Sequence, residues 1–371
     1  MKVDFDTQIF SAQEFGGISR YFASVCETMR GEFSVDARVI APLHFNAYLK
    51  ALPQEARVGW HIPRPPMLSS LVRLASMGLG APVHCARRAD ILHETYYFPF
   101  STPSLARRRV TTVYDMIHER RPDSFPTHDP VRNWKRKTVA RADHVICISE
   151  YTRRDLLDIY GLAPERVSVV HLGYDSLQRH LDGEPGESFR RRAFGADEPY
   201  ILFVGQRGGY KNFSALLKAY AGSAWLRENF RLLCFGGGAF STAERDELAR
   251  LGVTARVCQR GGADKELASC YRHAALFVYP SAYEGFGIPP LEAMSLDCPL
   301  ACSNATSIPE VAGAAAAYFA PHDLDAIRDT LETVLGSAQR MQDLVEQGRV
   351  QRERFSWKQC AGKMLEIYRQ L

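Results

Sequence analysis

Leu276-Phe-Val-Tyr-Pro-Ser-Ala-Tyr-Glu-Gly-Phe-Gly-Ile-Pro-Pro-Leu-Glu-Ala-Met-Ser-Leu296 is the stretch from which the fold is read. Leu276 to Tyr279 is a short apolar run ended by Pro280 and Ser281, the pattern of a buried strand. Gly285 and Gly287 then make a loop whose backbone can take positive φ or approach a ligand closely. Pro289-Pro290 suit the first helical position, and Leu291 to Leu296 continue as helix. Strand, glycine loop and helix start together present free N–H groups and a positive dipole end to an anion. Two carboxylates bracket the loop: Glu284 at its start and Glu292 in the expected first helical turn. A carboxylate beside an anion site can accept from sugar hydroxyls. The alternative is that Glu292 only complements the helix dipole and Glu284 is solvated.

Working outward, the same alternation of apolar strand and amphipathic helix fills both halves of the chain. That is the signature of an α/β protein with two Rossmann-like sheets. The 371 residues suggest two domains. We expect one over 1–175, a polar linker over 176–198, and a second over 199–356. The +4 net charge carries no nucleic-acid signature. The nine cysteines form no C-x-x-C pair, which points to buried free thiols in a reducing compartment. Met1-Lys2-Val3-Asp4 runs straight into a strand without a signal-peptide pattern, and no apolar run approaches the ~20 residues that span a bilayer. The expectation is a soluble, cytoplasmic protein, with peripheral contact with an inner membrane left open.

In the first half, Gly16-Gly17 sits between the strand expected over Lys2–Phe10 and a helix over Ile18–Met29. Residues 42–66 read as irregular. Met67 to Leu79 carries an apolar stripe with arginines around it, which suits either a core-facing helix or one on a membrane or acceptor lipid. His93, Glu94, Tyr96 and Tyr97 fall at a strand end, where an acceptor sugar could bind. Tyr114-Asp115 ends the next strand, with His118 beyond it; Asp115 either serves the site or caps the following turn. In the second half, Tyr200 to Gly205 is a strand, followed by Gln206-Arg-Gly-Gly-Tyr-Lys-Asn212. Arg207 and Lys211 can both clamp a diphosphate there, or form a solvated basic turn. After Glu310 the rest of the chain reads as helical.

Glu284-Gly-Phe-Gly-Ile-Pro-Pro-Leu-Glu-Ala293 resembles the E-x7-E signature of retaining glycosyltransferases of family 4, which have the GT-B fold. Phe15-Gly-Gly-Ile-Ser-Arg-Tyr-Phe22 resembles the amino-terminal fingerprint of a branch that builds bacterial surface polysaccharides, including mannosyl- and rhamnosyltransferases. The resemblance implies two Rossmann-like domains facing across a crevice, with the last helix, 357–371, packing back on the first. It implies that Glu284 lies by the donor sugar and Glu292 binds the ribose. Gly285, Phe286 and Gly287 would meet sugar and diphosphate. Gly16, Gly17, Gly205, Arg207 and Lys211 complete the implied donor site, and Asp115 joins Glu284, Lys211 and Arg207 as catalytic. The family's crevice histidine is replaced here by Tyr114.

The function so implied is transfer of a hexose, mannose or rhamnose among the candidates, from a nucleotide diphosphate sugar, GDP-linked in the leaning of the fingerprint. The acceptor would be a glycan or lipid-linked oligosaccharide. No cofactor is expected beyond the donor, and no metal: Asp4-Phe5-Asp6 and Asp323-Leu324-Asp325 match a D-x-D pattern by chance. Arg207, Lys211 and the 285–287 backbone would hold the leaving diphosphate. Two other readings stay open. One is a phosphorylase or sugar-phosphate synthase; the other is a catalytically silent, nucleotide-sugar-binding partner in a glycosyltransferase complex.

Overall fold

The computed structural model describes residues 1–64 and 69–371. They divide into two compact units, Met1–Gly173 with Phe355–Leu371, and Tyr174–Arg354. In the first unit, β1 (Lys2–Phe5), β2 (Asp36–His44), β3 (Arg57–His61), β4 (Ile91–Glu94), β5 (Arg108–Val113), β6 (His144–Cys147) and β7 (Val167–Val169) form one parallel sheet. Its order is β3-β2-β1-β4-β5-β6-β7. In the second unit, β8 (Tyr200–Val204), β9 (Arg231–Phe235), β10 (Val257–Arg260), β11 (Leu276–Tyr279), β12 (Leu300–Ser303) and β13 (Ala316–Phe319) form a parallel sheet in the order β10-β9-β8-β11-β12-β13. Both orders reverse once, between β1 and β4 and between β8 and β11. At such switch points the loops leaving the carboxyl ends splay apart and leave room for a ligand.

β8 and β11 read as unbroken apolar runs because helices cover both faces of a parallel sheet. Tyr200 to Phe203 and Leu276 to Tyr279 are all buried. The helix Gly17–Gly31 shows the complementary period: Tyr21, Phe22, Val25, Cys26 and Met29 face the core. The helix Trp357–Gln370 packs on it within the first unit, with Cys360, Met364, Leu365 and Tyr368 buried. All nine cysteines are free, and burial pushes the Cys26 and Cys360 thiols up to about 12.

Several expectations change. The first strand stops at Phe5, not Phe10. The buried Asp6 carboxylate collects the Gln8 and Thr95 N–H groups and the Thr102 hydroxyl, which turns the chain out of the sheet. Residues 42–66 contain the edge strand β3, and the stretch after Glu310 contains β13. The segment 176–198 is not a linker but part of the second unit. Gly186–Phe194 is a helix whose Phe189 is fully buried against Tyr200 and His273. Its polar composition hid one anchoring aromatic. Of the helix expected from Met67, Ser69–Arg87 is helical, while Met67 and Leu68 lie outside the described residues.

Candidate functional site

The second sheet's switch point joins the two motifs singled out in the sequence. The loop after β8 carries Lys211, and the loop after β11 carries Glu284; the two strands are paired, Leu276 opposite Ile201. Lys211 Nζ donates to Glu284 Oε1 at 2.8 Å, with the side chains 21% and 12% exposed, so both can reach a ligand. Lys211 Nζ lies 5.4 Å and 5.7 Å from the ring centres of Tyr210 and Tyr279. Burial, reinforced by the Glu284 charge, pushes the Tyr279 phenol well above its ordinary range.

Three loops are stitched together around this pair. The Ala282 N–H donates to Tyr210 O at 2.7 Å, and the Asn212 side-chain amide to Pro280 O at 3.1 Å. From the loop after β12, Thr306 Oγ1 accepts the Glu284 N–H at 2.9 Å, while the Ser307 hydroxyl donates to the carbonyls of Glu284 and Phe286, each at 2.9 Å. Thr306 and Ser307 had no role in the sequence reading. A hydroxyl pair before a proline gives no signal until the strands are ordered.

Gly287 caps the helix Ile288–Ser295 with φ 111°, a conformation that L side chains rarely adopt. Pro289 and Pro290 take the second and third helical positions, not the first, and have no N–H to offer. Of the groups left without an intrahelical partner at this end, Gly287 and Ile288 therefore keep the N–H donors. Phe286 is buried beneath the turn. Glu292 lies in the second helical turn rather than the first, so it cannot serve mainly as a dipole complement. It accepts from the Tyr271 hydroxyl at 3.1 Å and is half-buried.

Arg207 departs from expectation. Its side chain is 3% exposed and paired with Glu244 at 2.6 Å. It donates to the carbonyls of Gly236, Gly238 and Ala239 at 3.0, 3.0 and 3.1 Å and lies over the Phe240 ring. It thus pins the glycine turn after β9 instead of extending beside Lys211 to clamp a diphosphate. Gly236, Gly237 and Gly238 take φ of 86°, 69° and 69°, which is why that turn is glycine. Gly205, with φ 121°, passes beside it. The Arg207 guanidinium holds the Glu244 carboxyl down to about 2.

In the first unit, Gly16 and Gly17 open the helix Gly17–Gly31, which has no side-chain cap. A Cβ on Gly17 would meet open space. Asp115 Oδ1 accepts the Ile117 N–H at 3.1 Å, so it does cap the following turn, and it lies 3.7 Å from the buried Lys135 ammonium. The Tyr114 hydroxyl is buried and donates to Thr95 O at 2.6 Å. His118 stacks on Phe125 with ring centres 3.9 Å apart and helps line a cavity of about 400 Å³ with Asp123, Asp129 and Arg132. Burial, and then Lys135, lowers the His118 pKa.

His93 and Glu94 are not sugar ligands. His93 is enclosed between the Tyr368 hydroxyl and Thr112 Oγ1, and burial drives its pKa down to about 3. Glu94 is fully buried between Arg109 and Arg141, at 2.7 and 2.8 Å. Tyr97 is buried and Tyr96 half-buried beside Tyr114. Of the D-x-D pairs, Asp4 is buried against His84 and Arg87, and Asp323 caps the helix Leu324–Leu335. Among the described residues no group of three or more His, Cys, Asp or Glu is placed to hold a metal ion.

The family model "Glycosyltransferase Family 4" matches residues 15–176, and "Glycosyl transferases group 1" matches residues 186–351. The O-antigen chain mannosyltransferase B of Escherichia coli is 26% identical over the full length of both chains. The serotype-specific mannosyltransferase WbdA of Escherichia coli is 29% identical over 62% of this chain, which spans 29% of that longer protein. Among solved structures, HepE of Anabaena in complex with UDP and glucose matches with a TM-score of 0.74, 18% identity and full coverage of both chains. WaaG, a glycosyltransferase involved in lipopolysaccharide biosynthesis, matches at 0.70 with 17% identity and 99% coverage of each chain. The fold is therefore GT-B.

Proposed function

The chain belongs to glycosyltransferase family 4, and on that premise we propose that it transfers a hexose from a nucleoside diphosphate sugar to a glycan or lipid-linked acceptor of a surface polysaccharide. The proposed sugar is mannose and the proposed donor GDP-linked. Support for mannose comes from the names of the Escherichia coli relatives. The observation that carries the proposal is the Lys211–Glu284 pair at 2.8 Å, beside the glycine turn that opens the helix Ile288–Ser295.

In this reading the bond between the anomeric carbon and the β-phosphate oxygen breaks. The acceptor oxygen bonds to the same face, with retention of configuration, and its proton passes to the departing phosphate. Charge grows on the diphosphate as the bond breaks. The Lys211 ammonium, with the Gly287 and Ile288 N–H groups, meets that charge in fixed positions. The reaction so described needs no metal. Glu284, released from Lys211 when the phosphate takes its place, accepts from a hydroxyl of the donor sugar, and Glu292 accepts from the ribose. Arg207 acts through the 236–239 turn. Asp115 and the cavity beside His118 are assigned to the acceptor.

Tyr114 favours a second reading, a silent partner that binds donor without turnover, because its hydroxyl is tied to Thr95. The test is a thermal-shift panel of GDP, UDP, ADP and dTDP with the matching sugars, followed by assay of released nucleotide and of product configuration. A nucleotide at about 100 times its dissociation constant adds about 2.7 kcal/mol. The proposal expects one nucleotide to stabilise and its sugar to be consumed with retention. Stabilisation without any turnover establishes the silent partner, and no stabilisation by any of the eight overturns both readings.

A further inference from the structure

The outer edge of the first sheet carries a cavity that no residue assigned above lines. It measures about 510 Å³ and is bounded by Lys50, Gln54, Arg57, Gly59, Trp60 and His61. Trp60 is 74% exposed, and among the described residues no ring or cation stacks on its indole. No carboxylate lines the cavity, and Lys50, Arg57 and His61 have no ion pair with a described residue.

Local packing turns these groups outward. Leu49, Leu52 and Ala56 are buried, so Lys50 and Gln54 between them face solvent. Asn46 Oδ1 accepts the Leu49 N–H at 3.0 Å and fixes the short helix Ala47–Ala51 that carries Lys50. Arg57 Nε donates to Leu52 O at 3.1 Å, which steadies the guanidinium and leaves its Nη groups for a ligand. β2 and β3 pair at Val39–Arg57 and Ile40–Val58, then shift by one to Leu43–Trp60 and His44–His61. Ala41 and Pro42 thus oppose Gly59 alone, which is a bulge. A Cβ on Gly59, at φ 148°, would fall 1.9 Å from Ala41 O, so the close approach admits only glycine. Strict alternation would send Trp60 to the face opposite Arg57 and His61. With the bulge, all three line one cavity.

An indole face is a flat apolar platform with one N–H donor at its rim, which suits the C–H face of a sugar ring. The Arg57 guanidinium and the Lys50 ammonium beside it suit a carboxylate or phosphate, and the Gln54 amide suits a hydroxyl. We propose that this cavity is a second glycan site, which holds an anionic sugar residue of the acceptor polysaccharide. The inference rests on the reading of the chain as one that acts on glycans. Position supports it. The sheet is parallel, so the carboxyl end of β3 lies on the same edge as those of β1 and β4. β3 is two strands from β1, ~10 Å, within the span of a short oligosaccharide that reaches the switch point. A peptide strand added to β3 would meet a ladder that the bulge has broken.

Calorimetry and tryptophan fluorescence on the whole protein, with hexagalacturonate against the neutral mannohexaose, test this without any assay of transfer. The expected result is salt-sensitive binding of hexagalacturonate, at least about tenfold tighter than mannohexaose. Trp60→Ala and Lys50→Gln/Arg57→Gln should each weaken it about tenfold or more, with melting temperature and nucleotide stabilisation unchanged. No binding of hexagalacturonate, equal binding of the two sugars, or binding that neither variant weakens overturns the proposal. So does tighter binding of the oligonucleotide dT6, which would give the cavity to a nucleic-acid strand. Nucleotide stabilisation reads the donor site separately, so a failure here and a failure of the transfer reading are told apart.

Discussion

At the scale of single residues, Lys211 is the side chain on which the proposed chemistry turns. It is a cation fixed by one carboxylate and still reachable from solvent. Lys211→Ala should lower kcat/KM by about two to three orders of magnitude, the usual loss when one group stabilising developing charge is removed. The residue was legible in the sequence because a lysine after a strand and glycine pair is a local pattern. His93 was legible only as polar, and its strand-end position suggested a ligand. It is instead a neutral core residue with a pKa of about 3. Its unfolded value lies near 6.5, so between these values the unfolded chain binds the extra proton, and stability rises with pH across that window. Urea midpoints measured from pH 4 to 7 should rise with pH, and His93→Asn should flatten part of that slope.

At the scale of elements, the carboxyl ends of β8, β9, β11 and β12 place the donor-side loops, and Arg207 shows how they are fixed. Spacing from Lys211 suggested a second phosphate ligand. The strand order brings the 236–239 carbonyls within its reach, and a guanidinium has enough donors to satisfy several of them. Arg207→Ala should cost about 1–3 kcal/mol by leaving these carbonyls and Glu244 without their donor. It should also raise amide exchange over 236–240 before any change near Glu284. Glu244 has a folded-state pKa of about 2, below its ordinary 4.5, so the pair's contribution is full above pH 5. It is lost as pH falls from about 4.5 through 2. The stability gap between wild type and variant should close over that range, as chemical denaturation at each pH would show.

At the scale of the molecule, the chain leaves its first unit at Gly173 and re-enters it at Phe355. The helix Trp357–Gln370 therefore stabilises strands far away in sequence, through Met364 in the core and Tyr368 against His93. Met364→Ala should cost about 2–5 kcal/mol. The loss should be confined to the first unit: hydrogen exchange should quicken across β1–β7 and leave β8–β13 unchanged.

Local pattern alone specified two α/β units with parallel sheets, the strand–glycine–helix turn at Glu284, and the basic loop at Lys211. Each rests on neighbours within about ten residues, so periodicity and turn chemistry suffice to read it. Packing settled the rest. It made 176–198 part of a unit through one buried phenylalanine, found strands in Arg57–His61 and Ala316–Phe319, and turned Arg207 onto a glycine turn. It also left the leucines of Ser69–Arg87 facing outward. Which way an amphipathic helix rolls, and which carbonyl a cation meets, depend on partners such as Asp4 and Gly238 that only strand order brings near.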